Sequence, residues 1–144
     1  MNPETEKDHH QDAKAPRKDL SQDEERVATL IVDAAIKVHR ALGPGLLESV
    51  YETCLAHELR QRGLSVETQV PVPIHYEGLA LDGGLRLDLL VGGVAIVELK
   101  ALEKMLPVHD AQLLTYLKLS NRRLGFLLDF NVPVMKNGIF RFVL

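Results

Sequence analysis

Residues 85–101 read LRLDLLVGGVAIVELKA, and the course of the whole chain follows from how this stretch doubles back. Two apolar runs, Leu85–Val91 and Val94–Lys100, flank Gly92-Gly93, which is the pattern of a β-hairpin. Asp88, Glu98 and Lys100 stand inside these core-like strands. A buried ionised carboxylate is costly unless it is paired or holds a metal. Residues two apart share a strand face, so Glu98 and Lys100 project together beside Ile96, and Arg86, Asp88 and Leu90 share a face of the partner strand. A two-residue loop would set Asp88 opposite Val97, away from Glu98. A three-residue loop, or a glycine bulge, sets Asp88 opposite Glu98. The second register is expected, because only that one joins the acids.

Two carboxylates so placed raise each other's proton affinity until a cation arrives. Magnesium takes near-octahedral oxygen ligands and keeps several waters, so two carboxylates, the Leu99 carbonyl and water are a suitable set. Lys100 beside them suits orienting a nucleophile or neutralising charge on an attacked phosphate. Taken alone, the pattern reads equally well as an exposed cross-strand ion pair.

The flanking helices add weight. A helix is expected from Leu46 to Arg62, with Gly63 as its cap. On it Glu48 shares a stripe with Tyr51, Leu55 and Leu59 and should point toward the sheet; a rim carboxylate at a helix N-terminus is the plainer alternative. Pro107 opens a third helix reaching Leu119, where Gln112 and Tyr116 lie four apart on one face. An amide and a phenol stacked that way suit a phosphate or nucleotide end, or else simply cap the core. Arg86 is expected first in an ion pair with Asp88 and second in substrate contact. His109 and Lys104 are further phosphate-contact candidates, with a locally satisfied histidine and a solvated lysine as their ordinary roles.

Elsewhere, Ser21-x-x-Glu24 is a capping box, and Val27, Leu30, Ile31, Ala34 and Val38 follow at helical spacing as far as Leu42. Gly43-Pro44-Gly45 then breaks the pattern. Val66–Tyr76 contains Pro71 and Pro73, which predicts an edge or bulged strand, and Asp82-Gly83-Gly84 predicts a turn. Leu124–Asp129 and Ile139–Leu144 close the chain as short strands. Residues 1–20 hold five acidic and four basic residues with almost no large apolar ones, so a disordered polar tail is expected there, ahead of one domain over residues 21–144.

A formal charge of −3 argues against bulk electrostatic coating of nucleic acid, though not against a nuclease, whose acidic cluster would be offset by a cation. The one cysteine, Cys54, forms no internal disulfide, and neither a signal peptide nor a membrane span is visible; a cytoplasmic protein away from membranes is expected. No zinc spacing, phosphate loop or Ser/His/Asp arrangement is present.

Together Glu48, Asp88, Glu98-x-Lys100 and Gln112-x-x-x-Tyr116 resemble the PD-(D/E)XK nuclease superfamily, specifically its RecB-like branch. Gly45-Leu-Leu-Glu48-Ser-Val-Tyr51 is similar to the signature of the small GxxExxY proteins. The resemblance spans about residues 24–144; Leu87 stands where a proline often precedes the aspartate. It implies an α/β restriction-endonuclease-like core, in which a mixed central sheet (a three-strand meander plus a strand after a helix) is flanked by helices. It implies Mg²⁺ or Mn²⁺ held by Glu48, Asp88, Glu98 and the Leu99 carbonyl, with Lys100, Asp88 and Glu98 catalytic. Gln112 and Tyr116 would position nucleic acid, DNA ahead of RNA, with Tyr51, Glu52, Arg86, Lys104 and His109 as auxiliaries. The expected activity is metal-dependent phosphodiester hydrolysis. A catalytically silent nucleic-acid or protein binding module on the same fold is the alternative. So small a domain has little chain for gripping DNA, so a protein partner or self-association is expected to help.

Overall fold

Ser21 and Glu24 close their capping box: the Ser21 hydroxyl accepts from the Glu24 N–H at 3.0 Å and the Glu24 carboxylate from the Ser21 N–H at 2.8 Å. From this start the computed structural model describes residues 20–101 and 106–144, and the backbone of residues 6–9. The elements are β1 (Glu6–His9), α1 (Gln22–Leu42), α2 (Glu48–Gln61), β2 (Val66–Tyr76), β3 (Leu79–Val91), β4 (Ala95–Lys100), α3 (Pro107–Leu119), β5 (Leu124–Asp129) and β6 (Ile139–Val143), with a 3₁₀ turn at Met135–Gly138.

The strands form one sheet in the order β1-β6-β5-β4-β3-β2. Only β4 and β5 are parallel, and α3 is the crossover between them. The other neighbours are antiparallel. On one face α1 and α2 bury Val27, Ile31, Val38, Tyr51, Leu55 and Leu59 against the sheet, notably against Leu89, Val91, Val97, Leu99 and Phe126. On the other, Leu113 and Leu117 of α3 cover Ile96, Leu127 and Phe142. A mixed sheet with helices on both faces, built from the meander β2–β3–β4 plus β5 after α3, is the restriction-endonuclease-like core expected.

Pro71 and Pro73 sit on β2, the edge strand, where one side of the backbone has no neighbouring strand to bond. The turn expected at Asp82-Gly83-Gly84 lies elsewhere. Glu77 and Gly78, at φ 47° and 84°, make the tight reversal between β2 and β3, the two positive φ values matching the twist of a hairpin. Residues 82–84 instead form a bulge, since Val72 faces Leu85 while Ile74 faces Leu81. β1 was not expected either. It lies within the segment read as a polar tail and pairs with β6, and backbone pairing asks for a free edge rather than for apolar side chains. Residues 1–5 and 10–19 of that segment lie outside the described residues.

Candidate active site

The hairpin loop is the three-residue one, Gly92-Gly93-Val94, with Val91 opposite Ala95 and Leu89 opposite Val97. Gly92 and Gly93 take φ 60° and 71°, which a side chain would resist, and Val94 N–H closes the turn onto the Val91 carbonyl at 3.1 Å. The next facing positions are Asp88 and Glu98. Here the ladder gives way to side chains: Asp88 N–H donates to the Glu98 carboxylate at 2.8 Å, and Leu99 N–H donates to the Asp88 carboxylate at 2.9 Å. The strand also turns over at this point. Leu85 and Leu87 pack on the α3 side, whereas Leu89 and Val91 pack under α1 and α2, although all four are odd-numbered.

Glu98 is only 4% exposed. Burial pushes its carboxyl up to about 8, helped by the charges of Asp88 and Glu52 and opposed by the Asp88 N–H and the Lys100 ammonium. Removing water from a carboxylate disfavours its charged form, and a second carboxylate adds to the effect. Tyr116 is raised for the same reasons, burial first and then Glu98. Its phenol oxygen accepts from the Gln112 amide at 2.7 Å, which leaves the phenol proton to donate elsewhere.

Glu48 is the first residue of α2, so the helix dipole favours its charge. Its carboxylate reaches the end of β4 and accepts from Ala101 N–H at 3.0 Å. Tyr51, fully buried, explains how that helix start is held. Its hydroxyl donates to the Gly43 carbonyl and accepts from Leu46 N–H at 3.1 Å, while its ring stacks on Phe130 with centroids 4.5 Å apart. Tyr51 therefore clamps the loop that delivers Glu48.

A cavity of about 630 Å³ is lined by Glu48, Glu52, Gln69 and Asp88, together with Leu99 and Ala101 at the end of β4. A second, of about 610 Å³, brings Lys100 together with His109, Gln112 and Tyr116. His109 also does the ordinary job expected of it, accepting from Leu106 N–H at 3.0 Å at the start of α3. Arg86 corrects an expectation: it is exposed, and no ion pair joins it to Asp88 among the described residues, because that carboxylate faces Leu99. Lys104 lies outside the described residues. Gln69 escaped the sequence reading; its amide donates to Glu52 at 2.7 Å and, more distantly, to Asp88 at 3.4 Å. A polar residue in an edge strand carried no signal that could have singled it out.

Among the described residues no three acidic, histidine or cysteine side chains close around a single point. Asp88 and Glu98 are turned to each other's strand backbone, and Glu48 to Ala101. The donor chemistry nevertheless fits a hard divalent cation, since carboxylate and carbonyl oxygens suit Mg²⁺ or Mn²⁺. The carboxyl of Glu98, raised chiefly by burial, is the kind of perturbed group that clusters at functional sites.

The sheet, its crossover helix and this pair of facing acids followed by a lysine define a class. The chain belongs to the PD-(D/E)XK nuclease superfamily, whose model matches residues 25–142. No curated protein and no solved structure matches the chain. Proteins of this superfamily are usually nucleases and generally use divalent metal ions. Among the described residues no helix is long and apolar enough to cross a membrane.

Proposed function

We propose that this protein is a metal-dependent nuclease that hydrolyses phosphodiester bonds of nucleic acid, DNA ahead of RNA, and that it belongs to the RecB-like, GxxExxY group. The observation that carries the reading is the facing pair Asp88 and Glu98, bonded across the strand gap beside Lys100. Glu48, Asp88, Glu98 and the Leu99 carbonyl would hold Mg²⁺ or Mn²⁺. When bound, the cation supplies Lewis acidity and charge for the phosphate. Lys100 neutralises charge growing on the attacked group, and its place among His109, Gln112 and Tyr116 supports a path for the strand across β4 and α3. Tyr116 donates its free phenol proton to a phosphate oxygen while Gln112 fixes the ring. Tyr51 keeps Glu48 at the end of β4.

Labelled single- and double-stranded DNA and RNA, incubated with Mg²⁺ or Mn²⁺, test this. Cleavage is expected with the wild type, lost in chelator, and reduced by about a hundredfold or more in Lys100→Ala. Binding without cleavage in any of these mixtures would favour a silent binding module instead.

A further inference from the structure

We infer that Gln69 is a positioning residue of this site, its carboxamide tying Asp88 to Glu52 so that the Asp88 carboxylate is held ready for a cation. The inference rests on the reading of Glu48, Asp88 and Glu98 as cation ligands. Three observations support it. Gln69 lies across from Asp88 in the β2–β3 pair, between the matched positions Thr68–Leu89 and Val70–Leu87. Its φ of 51° is a left-handed conformation that strains a glutamine backbone. The strain coincides with a change of face in both strands: Val66 packs under α1 and α2, whereas Val70 and Val72 pack on the α3 side.

The side chain stays exposed and lines the cavity that it shares with both acids. The amide then donates to Glu52 at 2.7 Å and approaches Asp88 at 3.4 Å, so one neutral donor links two acids lining the same cavity. A carboxylate held by a neighbouring hydrogen bond needs less reorganisation to bind a cation, and such partners typically tune metal affinity by about 10–100-fold.

Backbone and side chain are separated by two variants. Gln69→Gly removes the carboxamide and relieves the left-handed strain. Gln69→Asn tolerates the same backbone but is one methylene short of Glu52. Mn²⁺ affinity is measured by calorimetry, and melting temperature in chelator, on the full chain. Both variants should bind Mn²⁺ about tenfold or more weakly, with Gln69→Gly melting no lower than the wild type. Wild-type Mn²⁺ affinity in both variants overturns the role of Gln69 alone. Weaker binding accompanied by a matching fall in melting temperature in both also overturns it, in favour of a merely structural residue. A wild type that takes up no Mn²⁺ overturns this inference together with the cation site.

Discussion

Asp88 and Glu98 each commit a carboxylate oxygen to the other strand's backbone, so each has a structural and a chemical task. Asp88→Asn keeps an oxygen for the Leu99 N–H while removing the charge. It should melt at or above the wild-type temperature and cleave nothing; a clearly less stable variant would make Asp88 a structural group first. Glu98 adds a pH dependence. Its folded-state value of about 8 lies above the ordinary 4.5, so between them the native chain binds a proton that the unfolded chain has released. Stability of the metal-free protein should therefore be full below the lower value and fall as pH rises through the upper one. Melting curves in chelator across that window should slope downward for the wild type and flatten for Glu98→Gln; parallel curves would refute the burial of a proton there. These acids were legible in the sequence because charge inside an apolar strand has few cheap explanations. Gln69 was not, since its role comes from a backbone angle and a partner seventeen residues away in the chain.

At the scale of elements, the loop Gly92-Gly93-Val94 sets the register on which the acid pair depends. Two glycines and the demand that both acids meet were enough to anticipate it. The reversal at Glu77-Gly78 was missed because the more conspicuous Asp82-Gly83-Gly84 drew the turn, while that triplet serves as a bulge. Helix starts were clearer, as at Ser21, where the cap is spelled by residue type. The start of α2 depends instead on a group inside the helix, the Tyr51 hydroxyl. Tyr51→Phe keeps the stack on Phe130 but strands the Gly43 carbonyl and Leu46 N–H. It should lower stability by about 1–2 kcal/mol in urea denaturation and reduce cleavage through a displaced Glu48. Unchanged stability and rate would show that the loop holds itself.

For the whole molecule, two helices on one face and α3 on the other leave the end of β4, and Asp88 of β3 beside it, open between them, and both cavities gather there. The order of helices and strands could be anticipated from their periodicities, and the layered architecture from the resemblance to the PD-(D/E)XK superfamily. β1 could not, because an edge pairing made by backbone leaves no trace in side-chain pattern. Convergence of Glu48, Asp88 and Glu98 on one cation is the claim from which the rest follows. Anomalous X-ray scattering from crystals grown with Mn²⁺ examines it most directly. The expected result is one peak between the Asp88 and Glu98 carboxylates and the Leu99 carbonyl, with Glu48 turned toward it, and no such peak in Asp88→Asn. Crystals saturated with Mn²⁺ that show no peak there, with both acids still bonded to backbone N–H groups, would contradict it.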